Sequence, residues 1–271
     1  MKPGNLARKM HIFLSGKMQE NVSWRKRYLK IAKFLATHGI DPPLARKGKR
    51  LKRRWAEQGT RDSDVNPEIY TKYDDSIERL FQEVLPLLSR ESSILEIGCN
   101  AGRSLEYLYR KGFHNLTGIE IGSKAVELFE KTFADTYQNS RIIVGDVVKE
   151  IQKLETNFFD LVFMHSVLVS ISARDNAVFG EMCRICRGYI LFLENEGSWT
   201  AFPRDFQKMF ERNGFYMISF RWLVWNDGQT LLEFPRTITD QDIFKNNIIR
   251  LFVPANGIRR GAEPEKGLRG K

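Results

Sequence analysis

The sequence predicts an α/β sandwich: a mostly parallel, doubly wound sheet with helices on both faces, closed at one end by an antiparallel hairpin. Short β-branched runs alternate with helix-period segments from Ser93 to Asn213. Those runs are apolar throughout, as strands buried on both faces are. The last two, Phe215–Trp225 and Thr230–Phe234, flank Asp227-Gly228, a strong hairpin turn signal. A chain of 271 residues, 42% hydrophobic and 28% charged, can bury a large core, which excludes collagen-like and mostly disordered classes. At roughly 100–200 residues per domain, the length fits one large domain or one domain plus an appendage.

The first element lies in a basic stretch, residues 1–61. Residues 1–60 hold 16 Lys and Arg against Glu20, Asp41 and Glu57, a net +13 that leaves −3 for the rest of a chain whose total is +10. Ser23 to His38 reads as a helix, with Gly39 as its stop and Asp41-Pro42-Pro43 forbidding continuation. Trp24, Tyr28, Ile31 and Leu35 recur on one face, and Arg25, Lys26, Arg27, Lys30 and Lys33 supply a cationic remainder. Such a helix suits an anionic membrane surface or RNA, or else packs its apolar face on the main domain. The run from Arg46 to Arg54 reads as a mobile, polyanion-attracting linker.

The main domain is expected over residues 62–255. A helical stripe runs through Tyr70, Tyr73, Ile77, Leu80, Phe81, Val84, Leu87 and Leu88. Strands are expected at Ser93–Ile97, Leu116–Ile121, Arg141–Val144, Phe159–His165 and Tyr189–Glu194. Helices are expected at Arg103–Lys111, Ser123–Phe133, Val147–Leu154, Ala173–Ile185 and Pro203–Asn213, the last ending at Gly214. Residues 256–271 read as a disordered tail, rich in Gly, Arg, Glu, Pro and Lys. The apolar run Tyr189–Leu193 falls far short of the roughly 20 residues a membrane-spanning helix needs. Ile12-Phe13-Leu14 is too interrupted for a secretory signal. A cytoplasmic location is therefore expected, peripheral at the inner membrane surface if the basic segment binds lipid. Cys99, Cys183 and Cys186 cannot form a disulfide framework, and a reducing compartment agrees with that. Cys183-Arg-Ile-Cys186 has metal-like spacing without a second pair, and His114 has no partner, so no zinc site is expected.

The chemistry concentrates at Ile94-Leu-Glu-Ile-Gly-Cys-Asn-Ala-Gly-Arg-Ser104. A strand runs into Glu96, turns through Gly98 and Gly102, and opens a helix, the arrangement in which backbone closely approaches a nucleotide-like ligand. The dinucleotide fingerprint G-x-G-x-x-G fails because Asn100 takes the second glycine position and Arg103 follows Gly102. A nucleoside-triphosphate loop fails for want of its lysine. Glu120 ends the next strand, where a carboxylate can accept both hydroxyls of a ribose, and Asp146 ends the third, where it could accept from an adenine amino group. Each acid alone could be a helix N-cap. Together, at the carboxyl edge of a doubly wound sheet, they point to ligand binding.

Over about Tyr70 to Phe234 the chain resembles the class I S-adenosylmethionine-dependent methyltransferases. Glu96-Ile-Gly-Cys-Asn-Ala-Gly102 is similar to the family's first motif, Gly118-Ile-Glu-Ile121 to its second, Gly145-Asp146-Val147 to its third and Phe159–His165 to its fourth. The resemblance implies a Rossmann-like, seven-stranded sheet ending in the antiparallel hairpin, and S-adenosyl-L-methionine as cofactor. It implies that Glu96 and the Gly98–Gly102 backbone, with Cys99 and Asn100 between, hold the aminocarboxypropyl part. Glu120 would bind the ribose, Ile121 would pack on the adenine, and Asp146 with Val147 would bracket the base. His165 would face the methyl group, and Tyr70 and Tyr73 lie on a helix that often covers the cofactor in such enzymes. Phe159–Phe163, Val167-Leu168 and Arg187–Leu191 are similar to methyltransferases found with carbohydrate and surface-glycan genes.

A sulfonium methyl is already activated, so such an enzyme mainly aligns an acceptor and excludes water. A hydroxyl acceptor also needs a base, for which His165, Glu194 and Glu196 are the candidates. The implied acceptor is a small molecule, glycan or lipid-linked compound. RNA is the alternative acceptor, drawn by the +13 segment, although Met164-His165-Ser166 lacks the Asn/Asp-Pro-Pro-aromatic signature of many base methylators. A catalytically silent fold that tethers to a membrane or partner is the non-enzymatic alternative. Acceptor choice is expected to reside in the N-terminal extension and the Val169–Asn176 and Glu196–Pro203 loops.

Overall fold

Eight strands, the central β1 and β2 buried on both faces, assemble into one sheet in the order β3-β2-β1-β4-β5-β8-β6-β7. In this computed structural model the described residues are 22–45, 48–58, 65–197, 201–226, 229–233 and 247–255. β1 (Ile94–Ile97), β2 (Leu116–Glu120), β3 (Ser140–Val144), β4 (Phe159–His165) and β5 (Cys186–Glu194) are mutually parallel. β6 (Phe215–Asn226) and β7 (Gln229–Glu233) form the antiparallel hairpin, with β7 at the sheet edge. The expected count was seven, and the additional strand is β8 (Asn247–Pro254), which inserts antiparallel to both β5 and β6. Its Ile248, Ile249, Leu251, Phe252 and Val253 are buried, which is what draws it between two strands already present. The turn expected at Asp227-Gly228, Ile12-Phe13-Leu14 and the tail at 256–271 lie outside the described residues.

Alternation along β4 splits the core into two layers. Val162 and Met164 join Ile190, Phe192, Phe206, Phe210 and Phe252 on one face, while Leu161 and Phe163 join Phe81, Leu105, Phe129 and Leu191 on the other. The helices between strands are α4 (Arg103–Arg110), α5 (Ser123–Thr132), α6 (Ala134–Gln138), α7 (Val147–Glu150), α8 (Ala177–Ile185) and α9 (Phe206–Glu211). The chain passes outward through β1, β2 and β3 and returns to β4 on the other side of β1. That reversal opens a crevice at the carboxyl ends of β1 and β4, where ligands bind in such sheets.

Gly102 fixes the first turn of α4. Its φ is +79°, and an added Cβ would stand 2.2 Å from the Phe129 ring. Gly102→Ala should therefore destabilise the fold by about 2–3 kcal/mol, through a strained backbone and overpacking together. Urea unfolding measures this, and a loss indistinguishable from zero would refute it.

The N-terminal segment contributes α1 (Val22–Thr37) and α2 (Gly48–Glu57). α1 ends in a Schellman motif: Ile40 N–H donates to the Leu35 carbonyl at 2.9 Å and Gly39 N–H to Ala36 at 3.1 Å, with Gly39 at φ +82°. Its buried face is Leu29, Ala32 and Ala36, whereas Trp24 and Ile31, expected on the packed face, are exposed. The two alanines decide this, because they let the helix backbone approach closely enough for Asn176 to donate to the Ala36 carbonyl at 2.8 Å. The Arg46–Arg54 run is helical where described, from Gly48 on, rather than a linker. Leu51 and Trp55, one turn apart, join Ala36, Ala173 and Phe202 in a small cluster on the body. The stripe expected from Tyr70 to Leu88 is broken into a 3-10 turn (Pro67–Thr71), α3 (Asp75–Phe81) and a second 3-10 turn (Leu85–Leu87). Asp74 caps α3 by accepting from Ser76 N–H at 2.9 Å, and Pro86 prevents its continuation. Among the described residues no helix is long and apolar enough to cross a membrane.

Candidate active site

The crevice at the sheet's carboxyl edge is an open cleft enclosing about 1120 Å³ of atom-free space, its mouth included. Its wall begins with the turn after β1. Gly98 and Asn100 take φ of +76° and +47°, and the turn is tied to β2 by Gly98 N–H donating to the Ile119 carbonyl at 2.7 Å. Glu120, buried at the end of β2, holds this turn from below. One carboxylate oxygen accepts from Asn100 N–H at 3.0 Å, the other from Gly122 N–H at 2.7 Å. Burial raises its pKa, and those N–H groups oppose the rise. A carboxylate offers about four lone-pair sites, so both oxygens can accept again from the cleft.

Glu96 is buried and one of its carboxyl oxygens has no partner, as is true of Asn100 Oδ1. Burial pushes Glu96 up to about 8, against the Ser104 hydroxyl and Arg103, so the carboxyl is protonated at neutral pH. Asp146 caps α7 by accepting from Val148 N–H at 3.2 Å, and its second oxygen meets Lys52 Nζ at 2.6 Å. Lys52 also lies 3.7 Å from Asp175.

Lys52 belongs to α2, which crosses the cleft as a strap fastened at both ends. At one end Gly48 packs so closely on Ser172 that a Cβ would stand 2.7 Å from the serine Cβ. At the other, the buried Gln58 side chain accepts from Ala125 N–H at 3.0 Å, in the first turn of α5. Between these ties Trp55 faces the cleft, its indole N–H buried without a partner.

Tyr70, Glu96, Gly98, Cys99, Asn100, Glu120, Ile121, Asp146, Val147 and His165 converge on this cleft. Gly102 stands behind it as the N-cap of α4. Tyr73 is 69% exposed away from it, its hydroxyl donating to Glu78. Glu194 and Glu196 do not face the cleft. Glu194 lies beneath the loop after β4, one oxygen accepting from Val167 N–H at 2.6 Å and Leu168 N–H at 2.5 Å, with burial pushing it up to about 8. Burial works to raise Glu196 too, but Arg250, bonded to both its oxygens, and Lys33 outweigh it and hold the carboxyl below its ordinary value. His165, at the end of β4, is pushed down to about 4 by burial, with Arg103 adding and Asp74 opposing, so it is neutral at pH 7. Cys99 packs under the turn, and burial lifts its thiol well above the ordinary range, so it is no nucleophile. Sequence reasoning did not single out Lys52, Trp55 or Arg103 as cleft residues, whereas Ser170 and Asp175 belong to the Val169–Asn176 loop expected to govern acceptor choice. For Lys52 and Trp55 a signal existed, the Leu51/Trp55 pair at helical spacing.

A glycine turn between one strand and a helix, followed by acids at successive strand ends, is an arrangement that other proteins share. Residues 94–188 match a family model described as a methyltransferase domain. Over those residues the chain carries a methyltransferase domain, and its fold is that of the class I S-adenosylmethionine-dependent methyltransferases. No curated protein matches it. Among solved structures, the methyltransferase is similar to geranyl diphosphate C-methyltransferase from Streptomyces coelicolor A3(2), at 10% identity and TM-score 0.52, covering 76% of this chain and 98% of that one. It is also similar to a candidate sarcosine dimethylglycine methyltransferase from Galdieria sulphuraria, at 12% identity and TM-score 0.51, covering 66% and 85%. A candidate RNA methyltransferase from Pyrococcus horikoshii matches at 13% identity and TM-score 0.50, covering 79% and 99%. At such identities the likeness is one of fold. The methyltransferase's cofactor is S-adenosylmethionine. The cleft residues fit it: Glu96 and Asn100 present buried acceptors without partners, and Ile121 and Val147 supply apolar walls.

Proposed function

We propose that this methyltransferase acts on a small-molecule, glycan or lipid-linked acceptor, and that the sequence-predicted acids hold its cofactor. The observation that carries the acceptor class is the charge of the cleft. Lys52 and Arg103 face four carboxyl groups, Glu96, Glu120, Asp146 and Asp175, and Lys52 is already engaged by two of them. A lining with that balance does not attract a phosphate backbone. The strap over the cleft also favours a compact acceptor.

The cofactor, when bound, supplies an activated methyl group. Glu96 and the Gly98–Gly102 turn hold its amino-acid end, with Cys99 and Asn100 shaping that turn. Glu120 accepts from the ribose, and Ile121 and Val147 flank the base. Asp146 accepts from the adenine amino group, its carboxylate fixed by Lys52, while Trp55 and Tyr70 close the cleft. His165 is the candidate base, unprotonated throughout the neutral range. Glu194 is a positioning residue that fixes the backbone after His165 and Ser166, and Glu196 anchors α1 to β8 through Lys33 and Arg250.

Calorimetry with S-adenosylmethionine tests the assignment. A carboxyl protonated up to about 8 must ionise to pair with the cofactor's ammonium group. Binding then releases a proton, and affinity rises with pH by up to about tenfold per unit below that value. The rise stops as an α-amino group itself begins to titrate, near ~8. Glu96→Gln should abolish the proton release, read as apparent enthalpies that no longer depend on the buffer's ionisation heat. Folded protein that binds no S-adenosylmethionine would refute the whole reading.

A further inference from the structure

We propose that the outer face of α1 docks this protein onto an anionic lipid surface. Residues 24, 27, 31, 34 and 38 recur at helical intervals on the side away from the buried Leu29, Ala32 and Ala36. Ile31 is 57% exposed and Phe34 63%, with Ile40 at 53% just past the helix end and Trp24 at 51% near its start. His38 stacks on Phe34, with ring centroids 4.4 Å apart, and its Nδ1 lies 2.7 Å from the Phe34 carbonyl. The histidine props the aromatic ring outward. Arg27 is exposed within this ridge and Lys30 is exposed beside it, and the helix contains neither Asp nor Glu.

The side of α1 that packs on the body is already filled, so the ridge is a second, separate apolar face. Aliphatic and aromatic side chains along a crest bordered by cations match the boundary between acyl chains and anionic headgroups. Nucleic acid complements the cations but leaves Ile31, Phe34 and Ile40 unburied. Two copies meeting through this face would oppose arginine and lysine to arginine and lysine. Lipid satisfies both halves of the pattern. The proposal goes beyond the methyl-transfer reading and fails separately from it, because vesicle binding requires neither cofactor nor acceptor.

The test is sedimentation of the full chain with phosphatidylcholine vesicles, with and without phosphatidylglycerol. Binding should appear only with phosphatidylglycerol and weaken with salt. Ile31→Ser/Phe34→Ser, which keeps every charge, should weaken it by about tenfold or more. Arg27→Glu/Lys30→Glu should abolish it. Both double variants alter exposed positions outside the cleft, so an unchanged affinity for S-adenosylmethionine and an unchanged melting temperature show that they are folded. Folded protein that ignores anionic vesicles overturns the proposal. So does vesicle binding that Ile31→Ser/Phe34→Ser leaves intact, or a single-stranded RNA that binds this face in preference to vesicles.

Discussion

Glu120→Ala should lower affinity for S-adenosylmethionine by about a hundredfold or more, the largest loss expected from any single side chain in the cleft. Two effects combine. The variant removes the acceptor proposed for the ribose, and it releases the Asn100 and Gly122 N–H groups that the carboxylate holds at 3.0 and 2.7 Å. The turn after β1 then loses its support as well as its neighbour. Global stability should fall less, because burying this carboxylate is itself costly and the variant relieves that cost. Glu120→Gln should lie between, since it keeps one acceptor but aims an amide donor at a backbone donor. Calorimetry distinguishes the three. An alanine variant within threefold of the parent would remove Glu120 from the cofactor site.

Arg204→Met should cost about 3–5 kcal/mol of folding stability, read as a lower urea midpoint. Arg204 is fully buried. It donates to Asn176 Oδ1 at 2.7 Å and to the carbonyls of Leu168, Phe202 and Ile171 at 3.2, 2.9 and 2.7 Å. Among the described residues no carboxylate bonds to it, and burial pushes its pKa down to about 10, so the charge is held by a cage of neutral acceptors. Methionine fills much of the volume and leaves Asn176 Oδ1 and the Phe202 and Ile171 carbonyls without a donor, the Leu168 carbonyl still accepting from Ile171 N–H at 3.3 Å. Those acceptors belong largely to the segment after β4 that supplies Ser170, Ile171 and Asp175 to the cleft. Cofactor affinity should fall along with stability. A loss below about 1 kcal/mol would show that the segment holds its shape without the cage.

The legible parts of this protein are those with a period. Continuous apolar runs mark β1 to β5 in the sequence, and the glycine turn with Glu96, Glu120 and Asp146 marks one wall of the cleft. β8 went unread because its place between β5 and β6 depends on long-range pairing, although Ile248-Ile-Arg-Leu-Phe-Val253 is as apolar as its neighbours. Glu194 follows the same strand-end rule as Glu96 and Glu120, yet the loop after β4 folds over it and takes up its oxygen. α1 carries apolar residues on two sides, and the small Ala32 and Ala36 settle which side is buried. Arg204 sits in no periodic element, and its role depends wholly on carbonyls brought to it by the fold. The α2 strap hid behind its own cations, which made a packed helix resemble solvated chain.

The strap is also a matter of traffic. A helix pinned at Gly48 and Gln58 and braced in the middle by Lys52 cannot swing aside as a hinged flap would; it opens only when a tie breaks. Any widening of the cleft on that side is then a local unfolding event, and its free energy is set by those ties. At Gln58 the tie is double: the carboxamide accepts from Ala125 N–H at 3.0 Å and the backbone carbonyl from Lys124 Nζ at 3.4 Å. The freedom of the cleft to widen is thus written into eleven residues, Gly48 to Gln58, that lie outside the part of the chain that carries the strand-end acids.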